Sequence, residues 1–170
     1  MCEVVTRYLP GHLASVAEAR AWVRELLAVR LSDTEAIATA ELLVSELATN
    51  GVRHGCHDLN PDDPNADAGL QLRLFIAARR IRIDVTDPGA GIELSTTNGQ
   101  ATAETTPKVQ HPDADSEHGR GLALVDVLAE HWSWRIDNRG CTVSVQLTHT
   151  PHHPPDPVQV RQEALLCCVP

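Results

Sequence analysis

Two polar residues interrupt an otherwise apolar stretch near the middle of the chain. In the segment ELLVSELATNGVRHG, Glu46 and Asn50 are four positions apart, which places both side chains on one face of a helix. A carboxylate in this position can accept a proton from a hydroxyl group or orient a water molecule. An amide oxygen one turn away is a hard ligand of the kind that binds Mg²⁺. The alternative interpretation is an ordinary helix face turned to water, which so short a pattern does not exclude.

A second candidate site is the segment DVTDPGAG. Asp87 ends an alternating apolar run and is followed by Gly89 and Gly91. A carboxylate fixed at the end of a strand can accept a hydrogen bond from an exocyclic amine such as that of adenine. Glycines allow the backbone to approach a flat ring or a phosphate closely. The same residues are also typical of a tight turn, because Asp-Pro-Gly is common turn chemistry.

The third candidate is the segment HGRGLAL, in which Gly119 and Gly121 flank Arg120 where a helix is predicted to begin. The first N–H groups of a helix lack backbone partners and lie at the positive end of its dipole, so they form a natural phosphate site. Arg120 could add positive charge there. A flexible hinge would use the same glycines, and this interpretation stays open for the motif taken alone.

The elements that must position these motifs follow from hydrophobic periodicity. Strands are predicted where apolar residues alternate, at residues 2 to 9, 70 to 77, 80 to 87, 131 to 137 and 141 to 148. Helices are predicted at residues 15 to 31, 32 to 54 and 119 to 131, the second with a capping box at Ser32-Asp33 and Glu35 and an end at Gly55. The order β-α-α-β-β-loop-α-β-β predicts an α+β fold. We expect a two-layer sandwich, with helices on one face of a mixed, mostly antiparallel sheet.

Composition limits the class of protein. The chain has 170 residues and a formal net charge of −9, which fits one domain and disfavours a general affinity for nucleic acid. Its five cysteines follow neither a disulfide framework nor a zinc pattern. The N-terminus does not resemble a signal peptide, and no apolar run is long enough to span a membrane. We therefore expect a cytoplasmic protein without direct nucleic-acid or membrane contacts.

Two segments contain almost no core-forming residues. Residues 92 to 118, about 27 residues rich in Thr, Ser, Asn, Asp and Pro, form a long loop of the kind that is functional or disordered. Residues 149 to 170 contain many prolines and histidines and predict a disordered tail. The predicted domain therefore covers residues 1 to 148.

Taken in order, the three motifs resemble the N, G1 and G2 boxes of the GHKL superfamily of ATPases and kinases. The similarity is greatest to the anti-sigma-factor serine/threonine kinases of the RsbW/SpoIIAB-like family, and it covers roughly residues 1 to 148. The resemblance implies a GHKL/HATPase-like fold that binds ATP with Mg²⁺. It also implies that residues 92 to 118 are the ATP lid, which nucleotide orders.

The resemblance further implies a role for each residue of the first two motifs. Glu46 would be the general base, and Asn50 would be the ligand of Mg²⁺. Asp87 would accept a hydrogen bond from the adenine amine, with Gly89 and Gly91 beside the base.

The remaining implied contacts are on the phosphate side of the nucleotide and in the last strand. Gly119, Arg120 and Gly121 would meet the phosphates at the start of the third helix. Thr142 would lie near adenine. One departure is Cys141, which stands where relatives commonly carry lysine, so a contact of that lysine is absent here. Pro107 and Pro112 in the lid are a second departure.

The first functional hypothesis is a serine/threonine kinase that phosphorylates an anti-sigma-factor antagonist and so regulates a sigma factor. One alternative is an ATP-dependent, partner-binding anti-sigma module with little or no phosphotransfer, and another is a free-standing ATPase subunit. Glu46 favours the kinase, because a pure binding module needs no base, although hydrolysis would use the same residue. Relatives are often dimeric, so a homodimer is one expected assembly. The chain has no room for the phospho-acceptor and coiled-coil parts of a complete sensor histidine kinase.

Overall fold

The computed structural model describes residues 2–56, 69–89, 120–137 and 140–151. Their elements are β1 (Glu3–Leu9), α1 (Ala14–Ala28), α2 (Thr34–Asn50), a π-helical segment (Gly51–Gly55), β2 (Leu70–Ile76), β3 (Arg80–Asp87), α3 (Arg120–Leu128), β4 (His131–Asp137) and β5 (Gly140–Thr148). The predicted order of strands and helices is confirmed. The predicted lid, residues 92 to 118, lies outside the described residues.

The five described strands form one sheet in the order β1-β2-β3-β5-β4. All four neighbouring pairs are antiparallel, so the predicted α+β class is confirmed but no parallel pair occurs among these strands. Parallel pairing is absent among these strands because of the position of β5. Strands β3 and β4 run in the same direction, as a connection through α3 requires, but β5 lies between them and pairs with both.

The helices cover one face of this sheet. Alternate strand residues point toward them and join the helix residues in one buried cluster, whose largest fully buried members include Leu27, Leu43, Leu70, Leu72, Leu74, Ile81, Ile83, Val125 and Val145. The strand residues between these point to the opposite face, because side chains alternate along a strand. That face carries Arg73 and Arg82, which both donate hydrogen bonds to the buried carboxylate of Asp84. The two-layer arrangement therefore agrees with the prediction.

Helix α2 begins at Thr34 because Asp33 caps it. The Asp33 carboxylate accepts a hydrogen bond from the backbone N–H of Ala36 at 3.0 Å. The predicted capping box counts from Ser32 to Glu35, but the observed cap is one residue later, at Asp33. The third residue after Asp33 is Ala36, so Glu35 does not complete a capping box. Acidic Glu35 in the first turn still complements the positive end of the helix dipole.

The chain beyond β5 packs back onto the domain. The backbone N–H of Thr150 donates to the second oxygen of the Asp33 carboxylate at 2.8 Å. The buried His149 donates from its backbone N–H to the Arg79 carbonyl at 3.0 Å, and its Nε2 lies 2.8 Å from the Ala77 carbonyl oxygen. The first residues of the predicted tail thus contact the domain, and residues 152 to 170 lie outside the described residues.

Among the described helices, none combines the length and the apolar character that crossing a membrane requires.

Candidate functional site

The polar residues of the first motif lie on the last two turns of α2. Glu46 and Asn50 are both half-buried. Neither side chain forms a hydrogen bond or an ion pair with another residue in the described ranges, so their oxygen atoms are available to a ligand. No group of three or more potential metal ligands occurs within those ranges. A cation held by Asn50 would therefore need further ligands from water and from a bound molecule, as Mg²⁺ commonly has.

The helix changes its winding directly after Asn50. Residues Gly51–Gly55 form a π-helical segment, a rare conformation that often marks functional sites. Its two glycines face Asp87. A Cβ atom on Gly55 would overlap the Asp87 carboxyl group, and one on Gly51 would lie 3.4 Å from the Asp87 Cβ and 2.8 Å from Leu70 Cδ2. The segment can approach Asp87 this closely because no side chain separates them.

Asp87 is the last residue of β3 and is only 9% exposed. Its carboxylate accepts a hydrogen bond from the backbone N–H of Gly89 at 2.8 Å, and Gly89 has a positive φ of 71° that suits this turn. Burial raises the pKa of Asp87 to about 6, while the Gly89 bond acts in the opposite direction. At neutral pH the carboxylate is mostly ionised. It is a buried hydrogen-bond acceptor that has no ion-pair partner among the described residues.

Two cysteines lie near this carboxylate. Cys141 is the residue opposite Asp87 in the β3–β5 pairing, and Cys56 directly follows the π-helical segment. Burial and, secondly, the negative charge of Asp87 raise the pKa of both thiols to about 11. Both thiols are therefore neutral at physiological pH. Neither thiol therefore supplies a cation to the Asp87 carboxylate.

Thr142 lies beside this site but points away from it. It pairs with Thr86 across β3 and β5, and the two buried hydroxyl groups are 2.8 Å apart. Because side chains alternate along a strand, Cys141 and Asp87 face the helices while Thr86 and Thr142 face the other side of the sheet. The register therefore places the thiol of Cys141, and not the hydroxyl of Thr142, on the same side as the Asp87 carboxyl.

The third motif is described only in part. Helix α3 begins at Arg120 and has Gly121 as its second residue, so a helix does start where phosphate binding was predicted. Gly91 and Gly119 lie outside the described residues, and the orientation of the Arg120 side chain is not described. Helix α3 contributes Val125 to the core, and Trp132 Nε1 of β4 donates to Asp126 at 3.0 Å.

A separate cleft of about 860 Å³ lies near the beginning of α2. It is lined by residues from the first turns of α2, the end of α3 and the segment after β5, including Asp33, Thr39, Val127, Glu130 and Pro151. None of the described motif residues lines it. The cleft is therefore distinct from the site around Asp87.

Residues 9–147 match the protein family described as the histidine kinase-like ATPase domain. The chain belongs to this family. The predicted GHKL resemblance is thereby confirmed for most of the chain. No curated protein sequence matches this ATPase-family chain.

The domain is also similar in structure to the RsbU and RsbW domains of Rv1364c from Mycobacterium tuberculosis. That match has a TM-score of 0.57 and 19% sequence identity, and it covers 91% of this chain and 35% of the other. Likeness at this identity establishes the fold. This chain thus spans about a third of the length of the chain it matches.

Several residues of this ATPase domain that shape the site were missed by sequence reasoning. Gly51 and Gly55 are spaced four apart, as Glu46 and Asn50 are, and this repeat was a usable signal. Gly55 was interpreted only as the end of a helix. Cys56 and Cys141 carried no local signal of their proximity to Asp87, because it depends on the β3–β5 register for Cys141 and on the packing of the π-helical segment for Cys56.

Proposed function

We propose that this protein binds Mg-ATP and transfers the γ-phosphoryl group to a serine or threonine of an anti-sigma-factor antagonist in the cytoplasm, and thereby regulates a sigma factor. The observation that carries the proposal is the position of the buried Asp87 carboxyl, which lies against Gly55. Gly55 belongs to the segment that directly follows α2, the helix that presents Glu46 and Asn50. Membership of the histidine kinase-like ATPase family supports the nucleotide.

The environment of Asp87 fits an adenine ring. The exocyclic amine of adenine needs a hydrogen-bond acceptor, and an ionised carboxylate is the strongest one available in a protein. The absence of side chains at Gly51 and Gly55 leaves one side of that carboxyl to backbone alone. The neutral thiols of Cys56 and Cys141 add soft, weakly polar surface beside a flat ring.

The residues at the end of α2 supply the chemistry of transfer. Bound Mg-ATP supplies the transferable phosphoryl group and a cation that neutralises its charge. Asn50 would hold that cation through its amide oxygen. Glu46, one turn earlier, would accept the proton of the attacking hydroxyl as the general base. Gly119, Arg120 and Gly121 would bind the phosphates at the start of α3.

The resemblance to anti-sigma kinases supports this choice of protein substrate, and the fold shared with the RsbU and RsbW domains of Rv1364c agrees with it. An ATP-dependent, partner-binding module with little phosphotransfer is the second candidate. Glu46 favours the kinase over that module, because partner binding by itself has no use for a half-buried carboxylate beside a metal ligand.

Calorimetric titration of ATP into the purified protein, with and without Mg²⁺, tests the site first. We expect binding that requires Mg²⁺ and that Asp87→Ala abolishes. The control Glu35→Ala, which replaces an exposed acidic residue in the first turn of α2, should leave binding unchanged. Incubation with labelled ATP and purified antagonist proteins then tests transfer. Binding without transfer to any of them would favour the partner-binding module, and no binding of ATP would refute the proposal.

A further inference from the structure

The cleft near the beginning of α2 has the size of a binding site. Its volume of about 860 Å³ lies within the range of ~300–1,000 Å³ that is usual for ligand pockets. The first turns of α2 line one side of it, and the end of α3 lines another. On the α3 side Val127 is apolar and 80% exposed. A ligand in the cleft would cover this side chain.

The rim of the cleft is acidic. Glu35 and Glu130 are exposed, and neither carboxylate has an ion-pair partner among the described residues. Asp33 adds a third carboxylate, whose two oxygens already accept backbone hydrogen bonds. Arg79 is the one arginine or lysine among the described residues that line the cleft. The cleft therefore favours a ligand that combines apolar groups with a positive charge.

The chain itself enters this cleft after β5. His149 is buried, the backbone N–H of Thr150 is bound to the Asp33 carboxylate, and Pro151 lines the cleft. Residues 152–170 therefore start at the cleft. A segment attached at such a point is present there at an effective concentration on the order of millimolar, so even a weak contact would be populated.

The other segments outside the described residues start elsewhere. They comprise residues 57–68, 90–119 and 138–139. None of the described residues that border them lines the cleft, namely Cys56, Gly69, Gly89, Arg120, Asp137 and Gly140. Residues 152–170 are therefore the part of the chain best placed to fill it.

The second part of the tail has the composition that the cleft favours. The prediction of a disordered tail rests on TPHHPPDP, residues 150–157. The next nine residues, VQVRQEALL at 158–166, contain two valines, one alanine and two leucines. They also contain Arg161, the one arginine or lysine of the tail. The seven residue steps from Pro151 to Val158 can span up to ~25 Å, which is ample for the segment to turn back into the cleft.

We infer that residues 158–166 bind in the cleft of their own chain. Arg161 then lies at the carboxylates of Glu35 and Glu130, and the two leucines of the segment cover Val127. The cleft is closed to other molecules until the segment leaves. Nucleotide binding is not required for this contact, because no described motif residue lines the cleft.

Disulfide trapping in the full-length protein tests this contact. Cys167 directly follows the two leucines and serves as the reporter, in a background that carries Cys2→Ser and Cys168→Ser. Under mild oxidation Val127→Cys should form an intramolecular disulfide with Cys167, because docking holds the two thiols at the same side of the cleft. Val127 is mostly exposed, so this substitution leaves the core intact. Mass spectrometry of the digested protein identifies the linked pair.

Val29→Cys in the same background is the matched control. Val29 is also apolar and exposed, but it does not line the cleft. It is four residues from Asp33, which binds Thr150, and so lies within about 14 Å of that anchor. A tail that moves freely would reach both positions.

The two trapping rates decide the inference. We expect the disulfide at Val127→Cys to form about tenfold faster, or more, than the disulfide at Val29→Cys. Equal rates would show a tail without a preferred site and would overturn the inference. Faster trapping at Val29→Cys, or no trapping at either position, would overturn it as well.

Reversal of charge tests the position of Arg161. In the Val127→Cys background, Arg161→Glu should slow trapping about threefold or more, because the new carboxylate meets the acidic rim. The further substitution Glu130→Lys should restore the rate, since opposite charges then face each other again. Trapping that Arg161→Glu leaves unchanged, or that Glu130→Lys does not recover, would contradict the contact between Arg161 and the rim.

Discussion

Gly55 and Asp87 are packed so closely that a methyl group on Gly55 would overlap the Asp87 carboxyl. We therefore predict that Gly55→Ala displaces this carboxyl and weakens ATP binding about tenfold or more, since a hydrogen bond to a charged group contributes about 1.5–3 kcal/mol. Calorimetric titration with Mg-ATP measures the loss.

Gly51→Ala is the matched control for this substitution. Its Cβ would meet the end of the Leu70 side chain at 2.8 Å and the Asp87 Cβ at 3.4 Å, and a terminal methyl group can move aside. We expect a smaller loss of affinity from Gly51→Ala than from Gly55→Ala. Equal losses would mean that the position of the Asp87 carboxyl does not determine ATP binding.

The pKa of Asp87 predicts two pH dependences of opposite sign. Burial raises this pKa from 3.8 to about 6, so between these values the folded protein holds a proton that the unfolded chain has released. The free energy of unfolding should therefore fall by on the order of 2–3 kcal/mol as pH rises from 4 to 7. ATP affinity should instead rise over pH 5 to 7, because the adenine amine needs the ionised acceptor.

Asp87→Asn provides the comparison for both measurements. The amide does not titrate, so its unfolding curves should lack this part of the pH slope. The nucleotide's own protonation affects wild type and variant alike, and only the difference between them reports on Asp87. Parallel pH profiles for the two proteins would show that Asp87 titrates outside this range or does not contact the nucleotide.

The buried hydroxyl pair of Thr86 and Thr142 should contribute to stability more than to binding. Thr142→Val leaves the Thr86 hydroxyl without its partner at 2.8 Å, which should cost about 1–3 kcal/mol in urea unfolding. The double variant Thr86→Val/Thr142→Val should cost less than the sum of the single variants, because the two hydroxyl groups act as one unit.

ATP affinity should change by less than about threefold in the same Thr142 variant, which is under 1 kcal/mol. The physical reason is that both hydroxyl groups face the side of the sheet away from Asp87. A tenfold loss of affinity with unchanged stability would instead support the adenine contact that the family resemblance implies for Thr142.

Glu46 and Asn50 lie one turn apart, but their substitutions should affect different functions. Glu46→Gln should keep ATP affinity and lower phosphotransfer by a factor of about 10² to 10⁴, which is the usual contribution of a general base. Asn50→Ala should remove the Mg²⁺-dependent part of the affinity. Phosphotransfer at the normal rate by Glu46→Gln would refute the base, and unchanged Mg²⁺ dependence of Asn50→Ala would refute the metal ligand.

The strands, the helices and their order were predictable because their apolar residues repeat with the period of each element. The alternation of Leu70, Leu72 and Leu74 with polar residues predicts a strand with one buried face, and the structure has that strand. The positions of the candidate residues Glu46 and Asn50 on a helix and of Asp87 at a strand end were also predictable, since helical spacing and strand ends can be read locally. These features depend on neighbours in sequence.

The features that the sequence did not reveal depend on contacts between distant segments. The insertion of β5 between β3 and β4, which makes every described pair antiparallel, leaves no trace in the local pattern. The same register decides that Cys141 shares a face with Asp87 and that Thr142 does not. The contact between Gly55 and Asp87 likewise requires α2 and β3 to be packed together before the role of Gly55 becomes visible.

The single carboxylate of Asp33 determines where the protein can safely be shortened. One of its oxygens starts helix α2 and the other holds the backbone of Thr150, so the first turn of the helix and the exit of the last strand share an anchor. A chain cut after residue 148, where the strand pattern ends, would lose that anchor and the packing of His149. A minimal domain therefore needs to extend at least through Thr150.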